Sequence, residues 1–198
     1  ETDGEVQCRI PSRCAQRTAE AFILAHQDWI LRTIARMKDR VGRPRPQYAE
    51  GAAHYFLGQL YQLETCQDLQ SKAQLRNSAL LVRAASDDPT QIQKRLEDWY
   101  RTQADLIFNQ RLSALVECFG LQMASSLKVR KMKAKWGSCS QSGVITLNLW
   151  LITQDIKAID YVILHELCHL KHFDHTPAFY AYLAEFMPDW RARKALLV

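Results

Sequence analysis

No stretch of this chain approaches the roughly 18 consecutive apolar residues that a membrane-spanning helix needs. No internal repeat or low-complexity tract appears in its 198 residues. A membrane span and a repeat architecture are thereby set aside. The N-terminus, Glu1-Thr-Asp-Gly-Glu, lacks the basic-then-apolar pattern of a secretory signal. The six cysteines, Cys8, Cys14, Cys66, Cys118, Cys139 and Cys168, are scattered and do not form a secreted disulfide framework. A reducing cytoplasm is the expected location. The excess of one charge sign is small: the net charge is +5, which alone does not imply nucleic acid. The remaining composition, 47% hydrophobic and 24% charged, is that of an ordinary globular protein.

Histidine breaks this even picture. Four of the six fall in one run, His165-Glu-Leu-Cys-His169-Leu-Lys-His172-Phe-Asp-His175. Its core reads H-E-x-x-H. Residues four apart on a helix share a face, so His165 and His169 can aim imidazole nitrogens at one metal, at about 2.0–2.1 Å for zinc. Glu166 projects beside that face, where it can reach a metal-bound water without displacing a ligand. The preceding residues, Ile156 to Leu164, are apolar enough for a buried helix, with Thr153 or Asp155 as its cap. A catalytic zinc takes three protein ligands and one water. His172 is a poor third ligand, because on a continuous helix it lies about 10 Å along the axis from His165. His175 fits if the helix stops after His169 and the chain turns back. The spacing H-E-x-x-H-x5-H then matches the metzincin type, with His172 where that pattern has glycine. His172 or Asp174 could supply the left-handed turn. Glu185 is the fallback ligand. A closed structural zinc site of the same histidines is the competing reading, but such a site has no use for Glu166.

The rest of the chain reads as α+β. Val6–Ile10 is expected as a strand, and 15–38 as a helix with a core stripe that includes Phe22, Leu24, Trp29 and Ile34. Arg40–Pro46 is a basic, proline-rich connector. A hairpin is expected over 52–64 around Gly58, with a further strand at Ala79–Arg83. His54 is expected on a surface strand. These make a small antiparallel sheet with one helix. Asp88 and Pro89 start a long helix that Gly120 ends, about 45 Å in length. Residues 127–148 read as a hairpin whose first strand carries Lys128, Arg130, Lys131, Lys133 and Lys135. Thr176-Pro177 opens another helix, and Trp190–Leu197 forms the last one. The expected organisation is a β-rich subdomain with a helix over 1–86, then a lobe over 87–198 that pairs the H-E-x-x-H helix with a small antiparallel sheet, the two forming one continuous structural unit.

Three blocks carry a resemblance: Lys135-Trp-Gly-Ser-Cys-Ser140 with Ile145-Thr-Leu-Asn148; Asp160-Tyr-Val162 with His165–Leu170; and Asp174-His175 with Phe179 and Met187-Pro-Asp189. On these the chain resembles the YgjP-like metallopeptidases, zincins related to the SprT-like and WLM groups. The resemblance implies His165, His169 and His175 as ligands of Zn2+ and Glu166 as the catalytic acid/base. It also implies an α+β zincin lobe with a strand pair above the metal helix. The expected function is hydrolysis of a peptide or protein substrate, the substrate lying extended beside strand 144–148. Tyr161, Tyr180 or Tyr182 could donate to the oxyanion, and Cys139 is a soft thiol nearby. Two alternatives stand beside this. One is a nucleic-acid-associated protease that uses the five basic residues of 128–135. The other is a zinc-bound interaction module without turnover.

Overall fold

The computed structural model describes residues 15–28, 30–31, 47–68 and 72–197. Contacts divide the chain into two compact units, 1–45 and 46–198. The expected first strand at Val6–Ile10 and the connector Arg40–Pro46 lie outside the described residues. In the first unit, helix α1 spans Gln16–Ala25. The part of its expected core stripe within α1 is not core: no residue of α1 is buried, and Phe22 and Leu24 are 60% and 69% exposed; Trp29 and Ile34 lie outside the described residues.

The second unit begins with strands β1 (Ala53–Phe56), β2 (Gln59–Gln67), β3 (Ala73–Arg76) and β4 (Ala79–Ala84), in the order β1-β2-β4-β3. The expected hairpin is β1–β2. Its two-residue loop, Leu57-Gly58, has positive φ at both positions, 48° and 79°, the type I′ geometry that matches strand twist. The sheet is mixed and not antiparallel throughout, because β4 lies parallel to β2. The unbroken apolar run Ala79-Leu-Leu-Val is the composition of a covered, parallel strand. β3 was not expected: it is a mostly exposed edge strand, Ala-Gln-Leu-Arg, whose alternation is only four residues long.

Helix α2 (Pro89–Phe119) follows. Asp88 caps it by accepting from the Thr90 amide, and Gly120 closes it in the left-handed region. Ile92, Leu96, Tyr100, Ala104, Phe108, Leu112 and Leu115 are its buried face, recurring every four residues or three, as one helical ridge requires. Each large apolar side chain so buried contributes about 1.5–3 kcal/mol. The Tyr100 hydroxyl donates to the Tyr55 carbonyl at 2.8 Å, tying α2 to β1.

The second sheet holds β5 (Ser126–Arg130), β6 (Gly137–Cys139) and β7 (Val144–Asn148), ordered β5-β7-β6. The expected hairpin over 127–148 is corrected: β6 and β7 are its antiparallel arms, while β5 ends at Arg130 and runs parallel to β7. The cause is Asn148. Its side-chain amide donates to the carbonyls of Met132 and Lys135, and its oxygen accepts from the Met132 and Trp150 amides. Residues 131–136 are thereby held as a loop. A 3-10 turn, Leu149–Thr153, leads to α3 (Ile156–Cys168), which Asp155 caps through the Lys157 amide. Helices α4 (Pro177–Phe186) and α5 (Trp190–Ala195) complete the unit.

His54 is a further correction. It is buried, and its Nε2–H donates to the Gln47 carbonyl at 2.9 Å. Burial pulls its pKa below the ordinary value. Its neutral form therefore stabilises the fold above about pH 6.5, and that stability is lost as pH falls through the lowered folded value. His54→Gln keeps a donor for Gln47 without the titration. Thermal melts at pH 7.5 and 5.5 should show a smaller acid-induced fall in Tm for the variant than for the parent protein.

Gly58 joins the first hairpin to the start of α3. The Leu57 and Gly58 amides donate to the carbonyls of Ile152 and Thr153, and a Cβ at Gly58 would lie 3.0 Å from the Asp155 Cα. Gly58→Ala combines a left-handed penalty with a backbone overlap. It should cost about 2–4 kcal/mol in denaturant melts.

Candidate metal centre

Helix α3 is apolar on nearly every face, and all but three of its residues are buried. That burial carries Glu166 into the interior and leaves His165 half-buried at its edge. The helix ends at Cys168, close to where the sequence pattern asks it to stop. No left-handed residue makes the turn: among the described residues only Leu57 and Asn77 are non-glycines with positive φ. Neither His172 nor Asp174 is needed for it. The Leu170 and Lys171 amides instead bond back three residues, and that of His172 bonds back four, so the last turn tightens and unwinds.

This path returns His175 to α3. One ligand nitrogen each from His165, His169 and His175 lies within 4.8 Å of the others. His172 and Glu185 do not join this cluster. His172 instead contributes its carbonyl, which accepts from His169 Nδ1 at 2.9 Å. A carbonyl only accepts, so Nδ1 carries the proton and the lone pair of His169 is on Nε2. The Nε2 atoms of His165 and His175 stand 2.9 Å apart. Two imidazole lone pairs at that distance need a shared proton or a cation between them. His165 Nδ1 is buried without a partner, and native folds keep such orphan atoms mainly where function requires them. Phe179 packs against all three rings, at 4.7–5.0 Å.

The electrostatics suit a metal. Burial above all, then the neighbouring histidines and Lys194, pulls the His165 pKa down to about 3. Burial likewise lowers that of His169. Both are therefore held neutral, the form that ligates. A set of three imidazoles with no carboxylate among them suits zinc, and also nickel, cobalt or iron.

Glu166 is 5% exposed. Desolvation pushes its pKa up to about 7, with Lys135 acting against the rise. Its neighbour is Gly137 on β6, where a Cβ would fall 2.6 Å from Glu166 Oε1. In the sequence Gly137 lies inside the expected 127–148 hairpin, with nothing to link it to Glu166. Only the packing of β6 on α3 reveals what its missing side chain is for.

Two clefts flank the histidines. One, of about 470 Å³, is lined by Trp136, Tyr161, Tyr180, Lys194 and Leu197 with His165 and Glu166. The other, of about 380 Å³, is lined by Lys135, Ser138, Cys139 and Phe173 with the three histidines. Tyr161 and Tyr180 are thus at the site, whereas Tyr182 lies under the Lys171 ammonium and beside His172. Cys139 is half-buried, and burial raises its thiol pKa, which keeps it protonated and a weak ligand. Lys194 had no sequence signal beyond its place in the last helix. Of the basic residues of 128–135, Lys131 pairs with Glu97 and Lys135 faces the second cleft.

The family model described as "YgjP-like, metallopeptidase domain" matches residues 1–198. The chain belongs to this family. It is accordingly a metal-dependent peptidase, and the α+β class expected from its sequence is what the fold displays. Among solved structures, the metallopeptidase zymogen abylysin of Pyrococcus abyssi aligns with 21% identity and a TM-score of 0.40, over 44% of this YgjP-like chain and 89% of that one. The zymogen jannalysin of Methanocaldococcus jannaschii aligns with 20% identity and a TM-score of 0.40, over 44% and 84%. Likeness at that level does not itself establish a shared fold. A search of curated proteins finds no match. Among the described residues no helix is long and apolar enough to cross a membrane.

The close approach at Gly137 has a measurable consequence. Gly137→Ala should push the Glu166 carboxylate from its place without disturbing the three histidines. Metal content should stay at the parent level while kcat/KM falls by about 10²-fold, on the scale of a displaced acid/base group.

Proposed function

We propose that this chain hydrolyses peptide bonds with zinc held by His165, His169 and His175 and with Glu166 as general acid/base. The observation that carries the proposal is the convergence of three imidazole nitrogens beside one buried carboxylate. Bound zinc would supply Lewis acidity towards the carbonyl and make water nucleophilic near neutral pH. Glu166 accepts the proton of the attacking water and returns it to the leaving amine. A carboxylate lifted towards pH 7 by burial is well matched to both transfers. Tyr161 and Tyr180 border the same cleft and can orient the carbonyl oxygen.

The backbone of the substrate needs an open strand edge. The expected position beside 144–148 is corrected, since β7 is central, paired with β5 on one side and β6 on the other. β5 and β6 are the outer strands, and the edge that passes Glu166 is that of β6, at Gly137. An extended peptide added there would bring its scissile carbonyl to the histidines. Cytoplasmic residence fits the free thiols of Cys66, Cys118, Cys139 and Cys168.

Mass spectrometry of the purified protein should find about one zinc per chain, the count that a single catalytic site needs. His175→Ala should lose most of it. Glu166→Gln should retain zinc while hydrolysis of a peptide library falls by about 10²–10⁴-fold. Undiminished hydrolysis by Glu166→Gln would remove that residue from the mechanism. Zinc without turnover of any peptide would favour a binding module.

A further inference from the structure

The larger cleft carries a cation, Lys194, that the chemistry above does not use. Tyr161 and Tyr180 form one wall, and both stack on Trp190, at centroid distances of 6.4 and 5.1 Å with interplanar angles of 12° and 19°. Trp190 opens α5, and Lys194 stands four residues on, so the two share a helical face. Lys194 is exposed, and it is the one lysine or arginine among the described residues that line this cleft. The other cations of α5 are engaged elsewhere: Arg193 bonds to Asp189 at 2.9 Å and Arg191 lies over the Trp190 ring. The cleft is therefore an aromatic slot, open to solvent, with a single ammonium at its rim and the histidine cluster at its inner end.

We infer that this cleft is a specificity subsite for a carboxylate-bearing residue next to the scissile bond, with Lys194 as the recognising cation. The inference rests on the peptidase reading of the centre and names the substrate class it takes. The aromatic wall accepts the aliphatic or aromatic body of the residue. The ammonium pairs with its carboxylate at the rim of the slot. Two sources offer that group: an aspartate or glutamate side chain, or the free C-terminus of a peptide whose last residue occupies the slot. In either case Lys194 touches only the recognised group and takes no part in proton transfer.

The test has a cleavage arm and a binding arm. In the first, a mixed peptide library with free C-termini and the same library with C-terminal amides are digested by the zinc-loaded parent protein and by Lys194→Met, and cut sites are read by mass spectrometry. Acidic residues enriched at one position beside the cut in both libraries would identify the side chain as the source. Enrichment of cuts one residue from the end, lost on amidation, would identify the C-terminus. Lys194→Met should reduce either preference about tenfold, and Lys194→Arg should restore it. In the second arm, 3-phenylpropanoate and 3-phenylpropanamide are titrated into both zinc-loaded proteins and followed by NMR. The carboxylate should bind the parent about tenfold more tightly than it binds Lys194→Met, and the amide should not distinguish them. Any direct ligation of zinc by the probe is common to both proteins and cancels. Equal binding of the carboxylate, or an acidic preference that survives in Lys194→Met, would overturn the inference. If no peptide is cut, the peptidase reading fails on the first arm, while the second still decides whether Lys194 recognises a carboxylate.

Discussion

The centre depends on a close approach between a strand edge and a helix. Glu166 must be withdrawn from water for its carboxyl to change protonation near neutral pH, because desolvation is what disfavours its charge. The β6 strand achieves this by lying against α3 at Gly137, where any side chain would overlap the carboxylate. A three-residue strand cannot hold that position by ladder bonds alone. Asn148 supplies what is missing. From within the fold it satisfies the carbonyls of Met132 and Lys135 and caps the turn that follows β7. Its backbone amide donates to the Trp136 carbonyl at 2.8 Å. The loop before β6 and the turn before α3 are thus tied to one side chain, and the distance between strand and helix is set at both ends.

Helix α3 is in turn located from three directions. Its N-terminus sits against the Leu57-Gly58 turn of the first sheet. Its middle carries Asp160, which takes a two-pronged bond from Arg111 of α2, both contacts at 2.7 Å. Its C-terminal half packs under Phe179 and near Trp190. Asp160 is 9% exposed, so it is a buried charge that must be paired. The pairing fixes the rotation of α3 about its own axis, and that rotation decides whether His165 and His169 face His175 or the core. The polar contacts around α3 serve orientation more than net stability, since a buried ion pair repays little beyond its own desolvation.

Features encoded locally were legible in the sequence. The caps at Asp88, Gly120 and Asp155 and the Leu57-Gly58 hairpin follow from turn chemistry, and the convergence of His165, His169 and His175 follows from spacing, all within about ten residues. What was not legible involves partners distant in the chain. The parallel pairings of β2 with β4 and β5 with β7 depend on crossovers that periodicity does not report. β3 is too short and too exposed to mark itself as a strand. His54 alternates like a surface residue, yet Gln47 and the neighbouring Tyr48 ring cover it. Gly137 reads as a turn glycine because nothing near it in sequence announces Glu166. The α1 stripe shows the converse: helical periodicity identified the helix but not what its apolar face would meet.

The same limit of local encoding bears on α5. Six residues are far too few for a helix to persist on its own propensity, so Trp190–Ala195 is helical because of where it is packed. Trp190 is held by the rings of Tyr161 and Tyr180, and Arg193 reaches Asp160 at 3.9 Å as well as Asp189. Asp160 therefore lies between Arg111 and Arg193 and links the long helix, the metal helix and the last helix through one carboxylate. A shift of α3 large enough to move His165 would draw α5 with it, and with α5 the Lys194 rim of the larger cleft. The geometry of the metal centre and the width of the slot beside it are consequently one mechanical property, set by the same buried aspartate.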